Sequence, residues 1–186
     1  LTAQEKYRWI EYHKWTFRTA WFNRIVGDFV FALKMQFGYL GYFNKALGYS
    51  PFEGFDLGGD GMSGYNLYGI ETVGLRGYKN SSLTPVSNGV QIANVYDKFT
   101  VEFRYPFVLS PQSTIYGLVF FEGGNAWSDM KSFNPFSIKR SAGVGVRLML
   151  PMIGLLGIDW GYGFDRIQGE TSPSGSNIHF IIGQPF

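Results

Sequence analysis

One short segment places an arginine next to a glycine inside an unusually long connection. The segment Leu75-Arg76-Gly77-Tyr78 lies in a Gly-rich stretch that covers residues 42–96. Irregular connections longer than about 12–15 residues are uncommon and are usually either functional or disordered. This stretch is rich in Tyr and Phe, which is atypical of a disordered chain. We therefore expect it to pack against the protein and to place Arg76 at a defined position. The alternative is a surface loop with an incidental arginine.

Few other residues have the types and spacing that chemistry at a site requires. The chain has no Cys, and His13 and His179 are its only histidines, so a zinc site is not expected. Residues 56–61 resemble the start of a calcium loop, but the twelfth loop position is Leu67 instead of the bidentate Glu. The sequence predicts no catalytic residues, no metal and no cofactor.

Composition limits the class of protein. The 186 residues carry a net charge of +2. The basic residues are scattered rather than clustered in a stripe, which argues against nucleic acid as a partner. Mean hydropathy is close to zero, and no stretch reaches the roughly 20 apolar residues of a transmembrane helix. Membrane β-barrels also average to neutral hydropathy, because their strands alternate apolar and polar residues.

The elements that must position Arg76 are predicted to be β-strands. Seven segments alternate with period two; they cover residues 14–22, 28–41, 99–108, 114–122, 139–150, 155–164 and 178–186. The connections 23–27, 109–113 and 151–154 are short, whereas 42–96, 123–138 and 165–177 are long. Antiparallel strands of about ten residues, with short turns at one end and long loops at the other, are typical of outer-membrane barrels.

The two faces of these strands differ in chemistry. One face carries large apolar residues, and the other carries mainly Gly, Ala, Ser and Thr with one or two charges per strand. This pattern favours a membrane barrel with a polar lumen over a soluble sandwich, because a Lys or Arg facing mid-membrane lipid costs about 2–4 kcal/mol. Aromatic residues near the predicted strand ends are expected to form interfacial girdles; they are Trp15, Trp21, Trp127, Trp160, Tyr162 and Phe186.

An odd number of strands leaves two open edges. Unpaired backbone groups are not tolerated in hydrocarbon. We therefore expect further strands, supplied by an N-terminal portion or by another subunit.

At five points the chain resembles BamA-type proteins, which assemble outer-membrane barrels. Leu75-Arg76-Gly77-Tyr78 resembles the family's Val-Arg-Gly-Phe motif, and residues 52–59 resemble its aromatic, Gly-rich lead-in. Residues 120–127 resemble the strand that ends in Asp-x-Gly-x-x-Trp, with Glu122 for Asp. Residues 140–145 and 182–186 resemble the next strand and the closing strand. The motifs occur in the family's order and spacing over nearly the whole chain.

The resemblance implies a position in a larger fold. It identifies residues 1–186 as the C-terminal part of one transmembrane β-barrel domain, the last seven of about sixteen strands. It implies that the long loop folds into the lumen, where its arginine meets an acid on the inner wall. The predicted positions of Glu102 and Glu122 agree with this implication. Both lie on the face opposite the lipid, on the two strands after the loop.

The resemblance also implies a function. The chain is expected to act in the outer membrane of a Gram-negative bacterium as a non-enzymatic insertase of nascent outer-membrane proteins. Its partners would be the lipid bilayer, the missing N-terminal strands, periplasmic domains and accessory subunits. Incoming strands would be accepted at a seam on the last strand, whose candidate residues are Ile178, Phe180, Ile182, Gly183 and Phe186. A polypeptide-exporting relative and a plain channel remain alternatives.

Overall fold

The chain folds as an open, all-β sheet with a folded loop on its concave side. The structure is a computed structural model and describes residues 11–62, 69–87, 89–110, 112–152 and 154–183. Its strands are β1 (Tyr12–Arg24), β2 (Val30–Tyr42), β3 (Glu53–Leu57), β4 (Gly69–Val73), β5 (Val86–Ser87), β6 (Val90–Gln91), β7 (Val95–Leu109), β8 (Thr114–Trp127), β9 (Lys139–Leu150), β10 (Gly154–Arg166) and β11 (Pro173–Gly183).

Seven of these strands form the main sheet, in the order β1-β2-β7-β8-β9-β10-β11, and every neighbouring pair is antiparallel. The predicted all-β class and antiparallel topology are therefore confirmed. Among the described strands, β1 and β11 lie at the two edges. No helix in the described part of the chain is long and apolar enough to cross a membrane.

Several strands extend beyond the ranges that alternation predicts. β7 begins at Val95 instead of residue 99, β8 continues to Trp127 instead of 122, and β11 begins at Pro173 instead of residue 178. The cause is that ladder hydrogen bonds join backbone groups and do not require apolar side chains. The predicted long loops at 123–138 and 165–177 are correspondingly shorter, and span residues 128–138 and 167–172.

The predicted division into two faces is correct. Along β9, buried Ser141, Gly143, Gly145 and Arg147 alternate with more exposed residues. Large apolar side chains cover the convex face with exposed fractions from 39% to 65%; they include Phe17, Trp21, Phe103, Val119, Phe121, Val144, Val146, Ile158, Trp160, Ile178, Phe180 and Ile182.

One of the predicted girdle residues is not on the exposed surface. Trp127 is only 9% exposed, because residues 128–138 fold over it and the Phe133 ring packs edge-to-face at 4.9 Å between centroids. The assignment of Trp127 to a girdle was therefore wrong. Trp15, Trp21, Trp160 and Tyr162 are exposed on the convex face, whereas Phe186 lies outside the described residues.

The hydrophobic core lies between the long loop and the wall of the sheet. The loop, residues 43–94, contains a parallel pair, β3 and β4, and a small hairpin, β5 and β6. It contributes Phe55, Leu57, Val73, Leu75, Tyr78, Leu83 and Ala93 to one buried cluster, and the wall contributes Leu40, Tyr96 and Ala126. Since burying one large apolar side chain contributes about 1.5–3 kcal/mol, this cluster holds the loop on the concave side.

The edge strand β1 also binds the loop. Lys14 Nζ lies 3.1 Å from Glu53 Oε2 and donates to the Gly69 carbonyl at 2.7 Å. Arg18 pairs with Glu71 on β4. The first two strands of the loop are therefore attached to one edge of the sheet by charged contacts.

The division into faces gives a labelling prediction. Cysteines placed at Leu33, Val146 and Ile158 should react with a bilayer-soluble probe and resist an aqueous one, because these side chains point to the convex face. A cysteine at Gln36, which lies on the concave face of the same strand as Leu33, is the matched control and should show the opposite preference. Labelling of the protein in vesicles by both probes checks this; aqueous labelling at all three convex positions would contradict the membrane assignment.

Candidate functional site

The segment Leu75–Tyr78 lies against the inner wall of the sheet. Leu75 is fully buried and forms an isolated antiparallel bridge with Gly59 of the same loop. Arg76 is 6% exposed and Tyr78 is fully buried. A guanidinium that is buried this deeply must lie against a wall that can neutralise its charge.

Arg76 binds carboxylates from three different strands. Its Nη2 donates to Glu102 Oε1 on β7 and to Glu122 Oε1 on β8, both at 2.7 Å. Its Nη1 donates to Asp159 Oδ2 on β10 at 3.1 Å. Its backbone N–H donates to Glu122 Oε2 at 2.8 Å, so Glu122 fixes both the main chain and the side chain of Arg76.

These carboxylates are themselves held by further cations on the wall. Arg147 on β9 donates through Nη1 and Nη2 to the two oxygens of Asp159, each at 2.5 Å. Arg104 donates twice to Glu102 Oε2, and Lys98 Nζ lies 3.1 Å from Glu122 Oε1. Bidentate arginine contacts fix orientation as well as charge. The acids are therefore already oriented by the wall toward the position of the guanidinium.

Electrostatics favours the charged form of Arg76. Burial lowers the pKa of the guanidinium, but the carboxylates of Glu122 and Glu102 outweigh burial and raise that pKa above its usual range. The guanidinium carbon also lies 3.7 Å from the centroid of the Phe120 ring. This face contact adds cation–π attraction, which is larger where water is excluded.

At Gly77 the loop backbone closely approaches the wall. Its φ of +87° is in the region that favours glycine. A Cβ at this position would lie 2.8 Å from Ser141 Cβ and 3.0 Å from Gly163 N. On the other side, the Gly77 N–H donates to His179 Nε2 and the Gly77 carbonyl accepts from Asn177 Nδ2, both at 2.9 Å. No side chain other than hydrogen fits here.

Tyr78 binds the wall through its hydroxyl. The hydroxyl donates to the Arg140 carbonyl at 2.7 Å and accepts a longer bond, 3.4 Å, from the Asp165 N–H. Burial raises the pKa of Tyr78 to about 12, so the hydroxyl keeps the proton that it donates at neutral pH. A phenylalanine at this position would pack similarly but would make neither bond.

Some residues of the site were not found by sequence reasoning. Glu102 and Glu122 were named as alternative partners, whereas Arg76 contacts both of them. Asp159 was missed as a third partner, although alternation had placed it on the inner face. His179 and Asn177 were also missed, because nothing in their own segment shows that a loop backbone about 100 positions earlier binds them.

The candidate seam residues lie on the edge strand β11. Ile178, Phe180 and Ile182 point to the convex face and are 64%, 57% and 65% exposed. Gly183 is the last residue of β11 and has a φ of +147°. Phe186 lies outside the described residues.

Comparison with known families gives one clear result. A model of the Omp85 superfamily domain matches residues 3–186, which is nearly the whole chain. No curated protein matches the chain.

The ionic network gives the first stability prediction of the site. Arg76→Ala should lower the free energy of unfolding by about 3–5 kcal/mol, because it leaves buried carboxylates without their shared cation. Arg76→Lys should restore only part of the loss, since an ammonium cannot contact three carboxylates in the guanidinium plane. Arg18→Ala is the matched control, because Arg18 also joins loop to wall but its side chain is 58% exposed; its effect should be about 0–1 kcal/mol.

Double-mutant cycles identify the partners. Arg76→Ala combined separately with Glu102→Gln, Glu122→Gln and Asp159→Asn should be non-additive, with coupling of about 0.5–3 kcal/mol in denaturant unfolding. Additivity in all three cycles would show that the arginine is not held by these acids.

The Tyr78 hydroxyl gives a second prediction. Tyr78→Phe should lower the free energy of unfolding by about 0.5–1.5 kcal/mol, the net value of a lost hydrogen bond, and should make the loop more sensitive to protease. Tyr162→Phe, on the convex face, should change neither measurement. Equal effects of the two substitutions would mean that the contact with Arg140 does not stabilise the loop.

Proposed function

The chain belongs to the Omp85 superfamily, and on that premise we propose that it is the C-terminal part of a BamA-like barrel that inserts nascent outer-membrane proteins. Proteins of this superfamily are non-enzymatic factors of outer-membrane protein assembly and translocation. The Omp85 domain also indicates an outer-membrane β-barrel, of which the open sheet is a fragment.

The observation that carries the proposal is that β11 lies at an edge of the described sheet. Within the described residues its ladder partner is β10 alone, while its apolar side chains already face the lipid side. In the complete barrel this edge would pair with a first strand outside this chain. Where that seam opens, an incoming strand can bond to the backbone edge of β11 and continue both faces of the sheet by β-augmentation. In this proposal Ile178, Phe180 and Ile182 guide the apolar face of the client, and Gly183 and Phe186 end the seam.

The position of the loop favours insertion at the edge over passage through the lumen. The loop is fixed by the Arg76 contacts at 2.7–3.1 Å and by the buried cluster around Phe55 and Leu57. Transport of a polypeptide, or free diffusion of solutes, would require these contacts to break. Otherwise it would have to use the part of the lumen that the loop leaves open. Insertion at β11 requires no movement of Arg76.

The proposal includes partners beyond this chain. Further strands would close the barrel against β1 and β11, periplasmic domains would deliver clients, and accessory subunits would complete the machinery. The loop anchor Leu75–Tyr78 would keep the concave side filled while the edge is open.

Site-specific cross-linking tests where the client binds. A client barrel that carries a cysteine in its terminal strand should form a disulfide with Ile178→Cys during assembly, because that position lies on β11, the strand at which the proposed seam opens. Val146→Cys is the matched control, since it also faces lipid but lies on the internal strand β9; it should cross-link at background level. Cross-links found only at Gln36→Cys, on the concave face, would support export through the lumen and contradict insertion at β11.

A further inference from the structure

Two side chains of the edge strand hold the backbone of one loop residue. Gly77 donates its N–H to His179 Nε2 and accepts from Asn177 Nδ2, each at 2.9 Å. We call these two hydrogen bonds the Gly77 clamp. The clamp opposes displacement of β11 together with the ladder to β10 and the hydrogen bond from Trp160 Nε1 to Ser176 Oγ, and His179 itself is only 5% exposed.

The clamp requires one protonation state of His179. A neutral imidazole has one nitrogen that accepts and one that donates, whereas an imidazolium has two donors and no acceptor. Since Nε2 accepts from the Gly77 N–H, the proton of the neutral ring is on Nδ1. Protonation of Nε2 would place two donors face to face and break this half of the clamp.

Each element that packs against His179 brings a charged group near its imidazole. Asp159 is its cross-strand partner on β10, Glu122 projects from β8, and Asp60 and Arg76 belong to the loop. The oxygens of Asp159 are already bonded to Arg147 and Arg76. Ordinary carboxylates stay ionised well below the pH at which histidine titrates, so the Arg76 network persists when His179 gains a proton.

We propose that His179 and Asn177 are positioning residues that couple the edge strand to the loop, and that protonation of His179 releases β11 while Arg76 keeps the loop on the wall. The link to function rests on the proposed role of β11 as the insertion edge, because opening that edge would then require the clamp to break. The clamp itself is a property of the folded chain and is measurable without any client.

Hydrogen exchange of the purified full-length protein in lipid nanodiscs tests the clamp. After correction for intrinsic rates, lowering the pH from about 8 to about 5, across the histidine range, should reduce protection of the Gly77 amide. The reduction should be roughly 5- to 150-fold, the range for loss of one buried hydrogen bond. Amides of β11 should lose protection together with Gly77, whereas amides of β8 should not.

Two variants separate His179 from every other titrating group. His179→Gln supplies an amide oxygen that accepts from Gly77 without titrating, so protection should persist and its pH dependence should disappear. His13→Gln removes the other histidine of these 186 residues and should leave the pH profile of the wild type. A pH profile that persists in His179→Gln, or that disappears in His13→Gln, would overturn the proposal, as would loss of Gly77 protection without any change in β11.

A measurement without substitution at His179 covers the case in which that variant does not fold. In His13→Gln protein with nitrogen labelling confined to these 186 residues, the one labelled imidazole should show the nitrogen chemical shifts of the Nδ1–H tautomer at about pH 8 and should move toward those of the imidazolium as the pH falls. An Nε2–H tautomer at the higher pH would contradict the clamp. If the clamp behaves as expected but clients do not cross-link to β11, the insertase proposal fails and the coupling stands.

Discussion

The structure depends on compensating one buried positive charge. Arg76 is carried into the concave side of the sheet by a loop, and an unpaired guanidinium in that position would cost several kcal/mol. Glu102, Glu122 and Asp159 neutralise it, and they come from β7, β8 and β10. Because the three acids belong to strands that are not all adjacent, the arginine is bound fully only when the sheet has its correct curvature and register. A slip of one residue would turn any of these acids toward lipid.

The loop and the sheet therefore stabilise each other. The loop is an unusual connection, since its own strands β3 and β4 make only a small sheet and bury their apolar residues against Leu40 and Tyr96 of the wall. The wall, in return, has a concave face of small and charged residues that would form little core alone. Glycines such as Gly77 and Gly161 allow the two backbones to approach, because a Cβ at Gly161 would lie 2.8 Å from Gly77 N.

Sequence patterns predicted the sheet better than the site. Alternation identified all seven main strands, because a membrane-facing sheet separates apolar from polar residues along each strand. It ended β8 too early, before residues 123–127, and began β11 too late, after residues 173–177, because small or polar residues continue the ladder there. Arg76 and two of its acids were predictable from faces and from the family motif. Asp159 as a partner and the contacts of His179 depend on how strands distant in sequence curve around the loop, which no local pattern encodes.

The contacts of Gly77 have a consequence for the order in which the chain assembles. His179 and Asn177 follow Gly77 by 102 and 100 residues, and Asp159 follows Arg76 by 83. Contacts so distant in sequence form late, because a large loop must close before they contribute. The loop thus remains incompletely bound through most of synthesis and membrane entry, and it reaches its final place when β11 arrives. The completed contacts of Gly77 therefore indicate that β11, the last described strand, has joined the sheet.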